Sequence, residues 1–457
     1  MRQNKTHQIL VLLIICVAIL SFFHVLRLTK NTALPTYDVY YHLNKIKSGT
    51  GFNLLKENSY LLDVIISKSN NQVFFMRLLP FIAGLLNICL IYLILGKIVK
   101  NEKQRFITSL IVILSPSFIY VHSVYNNLFL PLSFILLGTL FMLKDKYFYS
   151  MLSLFVVLVF NLSLFIIILL LLFVFYEKLK SKNLFLPVLG IVLVSYVFTT
   201  INPGFTQPLS IYFLLTKYVS DFGALIGFGF FNLALAVLGI FLSWNEKVKN
   251  AIIYYTLIAL FICSLYEHSF VVFLDLILAY YSGYAFIKIW KSKWQSKTLK
   301  NYVMLLILCG LIFSSGSYLN EMSKVGPKQS EILSLVWLKD KIKPDTKILS
   351  HYEYGYLIKT FSGATPYTDK TYFLRSKDKL KIKLSNDVFA SRNLKKILDF
   401  FNKEKIEYVW INQAMKNGQV WNREEEGILL ILENSPNFER QYDYFGIEIW
   451  KYKDLRI

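Results

Sequence analysis

"FFMRLLPFIAGLLNICLIYLI", residues 74–94, carries a single charge, Arg77, near its start and none after it. Folded as a helix, a run of this length crosses the roughly 30 Å of hydrocarbon in a bilayer. Lys97, Lys100, Lys103 and Arg105 follow directly, and the same alternation of apolar run and basic turn recurs. Apolar stretches lie near residues 8–26, 77–97, 106–122, 128–143, 148–162, 163–176, 184–200, 224–243, 251–266, 270–290 and 302–318. The fold class expected is a polytopic α-helical membrane protein with about eleven transmembrane helices. Composition agrees, with 55% apolar residues and a mean hydropathy of +0.47. The first run, Ile9 to Phe23, follows Arg2 and Lys5 but has no small-residue cleavage site after it, so it reads as a retained span.

A net charge of +21 raises the question of nucleic acid, and the placement of the charge excludes it. The lysines cluster in short turns: Lys144/Lys146, Lys178/Lys180/Lys182, Lys247/Lys249 and Lys288/Lys291/Lys293/Lys297/Lys300. With the N-terminus cytoplasmic, alternation puts each of these turns on the cytoplasmic side, which is the positive-inside pattern. The loops on the outer face are then 27–76, about 115–127, 201–223, a minimal turn at Glu267 to Ser269, and a tail from about Leu319. Cys16, Cys89, Cys263 and Cys309 all lie in apolar runs, which argues against a disulfide framework or a thiolate metal site.

The chain therefore divides into a transmembrane domain, 1–318, and a soluble extracytoplasmic α/β domain, 319–457. In the tail, "EILSLVWLKDKIK" and "SRNLKKILDFFNKEK" show helical spacing, "TKILS" and "EYVWIN" read as strands, and "FERQYDYFGIEIWKYK" as a hairpin turning near Gly446. Loop 27–76 is long for a connector and holds helix-compatible pieces at Tyr37 to Ile46 and Ser59 to Ser67, broken by Gly49 and Gly51. Long ordered loops tend to carry function.

Acidic residues locate the chemistry. Glu102, Asp145, Glu177 and Glu246 fall among cytoplasmic lysines as surface charge. Asp275 lies inside a span, as a helix–helix polar contact or a catalytic group. Asp38, Glu57, Asp63, Asp221 and Glu267 all map to the outer face. Carboxylates gathered from separate loops suit a hard divalent cation, and a lone aspartate suits a general base on an acceptor. Asp38 precedes Tyr40, Tyr41 and His42; it is either such a functional acid or a helix N-cap.

The order of these features resembles the GT-C superfamily of membrane glycosyltransferases, and most of all the catalytic subunit of oligosaccharyltransferase in its single-subunit archaeal and bacterial forms. "YDVYYHL", residues 37–43, is similar to the family's first outer-loop motif around an aspartate, here Asp38. The stretch opening this section, with "LSPSFIYVHSVYNN" at 114–127, is similar to second and third spans of the wider superfamily, where an arginine at the position of Arg77 is frequent. "KYVSDFGALIGF", residues 217–228, matches a later loop motif with Asp221 for the family's glutamate, and His268 falls near a family arginine. Asn126 and Asn127 stand where an acidic pair is expected. In the tail, His351, Tyr352, Glu353, Tyr354 and Gly355 occupy the place of Trp-Trp-Asp-Tyr-Gly; the indoles and aspartate are missing, which speaks against sequon recognition. The segment reads alternatively as a strand of the tail's core.

The resemblance implies transfer of a sugar from a polyprenyl-linked donor to a protein or glycan acceptor, with membrane lipid as the other partner. It implies Asp38 and Asp221 as catalytic carboxylates, Arg77, His268 and Lys217 at the donor phosphate, and His351, Tyr352, Glu353 and Tyr354 at the acceptor. Lys217 reads equally as an interfacial lysine. A Mn or Mg ion would be held by Asp38, Asp221, His122 and Asn127. A catalytically degenerate relative with a binding or assembly role is the alternative. A transporter is disfavoured by the scarcity of ionisable residues within spans and the lack of inverted repeats.

Overall fold

In a computed structural model of the chain, the structure describes residues 2–30, 33–48, 61–160, 164–175, 216–370, 379–423 and 426–454. The stretch 184–200, the turn at Asn161 to Ser163 and Glu57 lie outside the described residues. The chain folds as two compact units, one of Met1–Lys30, Phe52–Leu62 and Ser69–Lys324, the other of Asn31–Gly51, Asp63–Lys68 and Val325–Ile457.

The first unit is helical: α1 Arg2–Lys30, α4 Gln72–Ile98, α5 Glu102–Leu114, α6 Pro116–Ser123, α7 Phe129–Leu143, α8 Tyr147–Phe160, α9 Phe165–Val174, α10 Phe230–Ser243, α11 Lys247–Tyr266, α12 Val271–Lys291 and α13 Lys297–Lys324. The second unit holds the intervening α2, Val39–Ser48, and most of α3, Leu61–Ser67. Among the described residues, four helical stretches, Thr6–Thr29, Gln72–Ile98, His268–Lys291 and Lys297–Lys339, are long and apolar enough to cross a membrane, and α5 with α6 makes up to five if counted as one span. The expected span at 106–122 is bent by 60°, because Ser115 caps α6 and Pro116 cannot donate to the preceding turn. The span expected from residue 224 starts instead at Phe230: residues 219–228 close a turn in which Val219 pairs with Phe228.

Close packing and polar contacts bind this unit. A Cβ on Gly239 would come within 2.1 Å of the Tyr281 carbonyl oxygen, so α10 and α12 approach at backbone distance, as small residues allow between membrane helices. Beside this contact Ser282 Oγ donates to Asn232 Oδ1 at 2.7 Å, and Asn232 Nδ2 donates to Asp275 Oδ1 at 3.0 Å. The hydroxyls of Ser115 and Ser117 donate to the other oxygen of Asp275. Asp275 is thus the polar junction of α5, α6, α10 and α12, the helix–helix reading of its place in the sequence. Tyr92 Oη donates to Gln8 at 2.6 Å and Arg27 Nη1 to the Ser323 carbonyl at 2.8 Å, tying α1 to α4 and α13.

The second unit contains α14 Gln329–Lys339, β1 Lys347–Leu349, α15 Gly355–Ser362, β2 Thr365–Pro366, α16 Lys379–Phe389, α17 Leu394–Glu404, β3 Ile406–Ile411, α18 Ile428–Asn434, β4 Phe438–Tyr444 and β5 Ile447–Tyr452. The sheet order is β2-β1-β3-β5-β4, parallel from β2 to β3 and antiparallel beyond. The hairpin turns on Phe445 and Gly446, both at positive φ (50° and 71°), which suits a two-residue loop between twisted strands. Trp410, Trp421 and Phe401 fill the core. Residues 352–356 are not a strand: Tyr352–Tyr354 form a 3-10 turn closed by Tyr354 N–H on the His351 carbonyl, and α15 starts at Gly355.

Candidate functional site

Asp38 directly precedes α2 in the tail-containing unit and is exposed. Two residues earlier Thr36 has φ 63°, a left-handed conformation that is strained for a β-branched residue. Between them Tyr37 reaches into the unit's interior. Its hydroxyl donates to Glu331 Oε2 at 3.0 Å, and its ring meets that of Tyr354 edge-on at 5.0 Å. Glu331 is buried and also accepts from Asn412 Nδ2 at 2.6 Å and from the Lys328 N–H at 3.0 Å. One turn along α2, Asn44 Nδ2 donates to the Tyr356 carbonyl at 2.9 Å and accepts from Thr360 at 3.0 Å. The segment carrying Asp38 is therefore built into the same body as the His351–Gly355 motif.

That motif is itself a hydrogen-bonded cluster. Tyr354 Oη donates to Gln419 Oε1 at 2.6 Å, and Gln419 Nε2 donates to Glu353 Oε2 at 2.6 Å and lies 3.1 Å from His351 Nδ1. Tyr352 packs against His351 with ring centroids 4.1 Å apart and the planes tilted by 39°. Burial, with the charge of Lys370 adding to it, lowers the His351 pKa to about 4, so the imidazole is neutral near pH 7. The Asp38 carboxylate is paired with Lys370, Nζ to Oδ1 at 2.6 Å. Nearby, His42 Nδ1 and the buried Asp63 are 2.8 Å apart, joining α2 to α3.

The remaining residues singled out in the sequence belong to the membrane-helix unit. Asp221 caps α10: its Oδ2 accepts the Phe230 N–H at 2.7 Å, and the Ser314 hydroxyl lies 2.8–2.9 Å from both carboxylate oxygens. Lys217, Tyr218 and His268 adjoin this turn. Tyr218 faces the His268 ring at 5.7 Å, and Lys217 acts electrostatically on the same histidine. Partial burial lowers the Lys217 pKa. Arg77, in the first turns of α4, is within electrostatic reach of His24 on α1, a proximity that the sequence does not reveal. Glu267 accepts from Ser269 at 2.7 Å within its own turn.

The four residues assigned to a divalent cation do not fit one as they stand. Asp38 is paired with Lys370, and both oxygens of Asp221 accept protein hydrogen bonds. His122 is 0% exposed, packed on Phe118 with Nε2 3.3 Å from Asn87 Nδ2. Asn127 is exposed, while its neighbour Asn126 spends its amide on the Val121 and Val124 carbonyls and the Leu128 N–H. Among the described residues, no three of His, Cys, Asp and Glu gather as a metal group.

No family model and no curated protein matches the sequence. Among solved structures, the apo oligosaccharyltransferase of Archaeoglobus fulgidus aligns with 99% of this chain and 75% of its own, at a TM-score of 0.62 and 14% identity. The chain shares the fold of that solved structure. The same enzyme in complex with an inhibitory peptide and a dolichol-phosphate aligns over 100% and 75% of the two chains (TM-score 0.55, 12% identity), and its complex with Zn and sulfate over 97% and 73% (0.51, 14%). ArnT from Cupriavidus metallidurans aligns over 95% and 97% (0.50, 10%). The likeness in fold runs along nearly the whole chain.

Proposed function

We propose that this chain is a membrane glycosyltransferase that moves a sugar or oligosaccharide from a polyprenyl (dolichyl or undecaprenyl) phosphate or diphosphate to a protein or glycan acceptor on the outer face. The observation that carries the proposal is the union of Asp38 with the His351–Tyr354 motif in one compact unit, through Tyr37, Tyr354 and Glu331. The lysine-rich turns support a cytoplasmic N-terminus and an extracytoplasmic tail.

In the reaction the bond from the anomeric carbon to the phosphate oxygen breaks, and its electron pair leaves on the phosphate. The acceptor heteroatom bonds to that carbon, and its proton passes to Asp38 acting as general base. Arg77 and Lys217 supply positive charge to the departing phosphate, and His268 offers it a hydrogen bond. Asp221 shapes the turn next to Lys217 and His268 through the Phe230 N–H and the Ser314 hydroxyl. His351, kept neutral, with Tyr352, Glu353 and Tyr354, offers the acceptor hydrogen bonds in place of an indole pair.

The test is transfer of labelled sugar from polyprenyl-linked donor in membranes holding wild type, Asp38→Ala or Asp221→Ala. Loss of transfer in both variants is the expected result. Retained transfer in both removes the mechanism, and a wild type that binds donor but transfers nothing favours a degenerate, binding relative.

A further inference from the structure

Asp38 has a cation beside it that the chain itself supplies. Lys370 lies 332 residues away in sequence, on the segment that follows β2, and its ammonium meets the Asp38 carboxylate at 2.6 Å. The side chains are 35% and 62% exposed, respectively. A pair this open contributes about 0–1 kcal/mol to stability, so folding alone does not call for it. What surrounds it has a cost: Thr36 is held left-handed, and Tyr37 is fixed by its hydrogen bond to Glu331 and its edge-on contact with Tyr354, so the carboxylate is presented at one place. The charge of Lys370 also reaches His351, the first residue of the acceptor motif. Elsewhere the carboxylate chemistry that a divalent ion needs is spent: Asp221 on an N-cap and a serine, and an acidic pair on Asn126 and Asn127.

Resting on the transferase reading above, we infer that Lys370 is the fixed cation of the Asp38 site and that transfer proceeds without a divalent metal. A lysine is a point charge with three donors, suited to hold a carboxylate aimed without an ion's coordination shell. Before transfer Lys370 holds the Asp38 carboxylate in place. When Asp38 takes the acceptor's proton the ammonium keeps its own proton and loses its counter-ion. Its charge then favours the phosphate that has gained the electron pair. No proton, electron or co-reactant beyond donor and acceptor is required.

Two measurements on the full-length chain test this. In the transfer assay, wild type keeps its rate in excess EDTA, Lys370→Ala falls roughly 100-fold, as for loss of one charge-stabilising donor, added Mn²⁺ or Mg²⁺ does not restore it, and Lys370→Arg keeps most of the rate. Separately, Mn²⁺ titration followed by electron paramagnetic resonance shows no uptake by wild type that Asp38→Asn removes. Transfer abolished by EDTA and restored by Mn²⁺, or unchanged transfer by Lys370→Ala, overturns the inference, as does saturable Mn²⁺ binding that depends on Asp38. If wild type transfers nothing at all, the transferase reading fails, and the Mn²⁺ titration by itself decides what occupies Asp38.

Discussion

Tyr37 and Asp38 are adjacent in the chain and face opposite fates, one anchored on buried Glu331, the other offered to solvent beside Lys370. The aspartate was legible because its motif is local: an acid before an aromatic helix start. Its partners were not, since Glu331, Lys370, Asn412 and Gln419 come from the far end of the chain and carry no spacing that links them to residue 38. His351 shows how burial resets a residue's chemistry. In the unfolded chain it takes up a proton as pH falls through about 6.5, its ordinary value, whereas in the fold it resists until about 4. The unfolded state therefore binds the extra proton between these values, and stability declines across that window, with no contribution from this group at higher pH. Thermal unfolding of wild type and His351→Gln, followed by tryptophan fluorescence between pH 7 and 4, should show a shallower decline in the variant. Parallel curves would mean that the histidine is not held neutral.

Among elements, periodicity and apolar length placed the helices well, from α4 to the amphipathic α17, and the Gly446 hairpin was visible in its turn residue. Where the reading went wrong, a polar side chain had overridden hydropathy. Ser115 breaks one apolar run by capping α6, and the Asp221 turn delays α10 to Phe230; hydropathy averages register neither. Asp275 connects the two cases, since it binds the broken helix pair to α10 and α12. Asp275→Ala strands two hydroxyls and an amide in an apolar interior. It should lower stability by about 1–3 kcal/mol, measured as a fall in midpoint temperature in detergent. An unchanged midpoint would show that the bend at Ser115 stands without its anchor.

For the whole molecule, a boundary near residue 318 follows from hydropathy, yet the contacts place Asn31–Gly51 with Val325–Ile457. Apolar content identifies what enters the bilayer and is silent on which polar loop folds with which tail. A chain ending at Lys324 should therefore leave residues 33–48 without Glu331, Tyr354, Tyr356 and Thr360. Limited proteolysis is expected to cut there in the truncated chain and to spare the site in the full one; equal protection would place the support for this segment elsewhere.

The Tyr37–Glu331 bond joins positions 294 residues apart, which sets an order of events at the ribosome. At synthesis rates of about 5–20 residues per second, Tyr37 emerges roughly 15–60 s before its partner exists. Throughout that interval the nascent chain must be inserted helix by helix with Tyr37 and Asp38 still unhoused. Completion of the unit that holds Asp38 is thereby deferred to the synthesis of residues beyond 325, and a message truncated before Glu331 leaves an inserted polypeptide in which Tyr37 has no anchor.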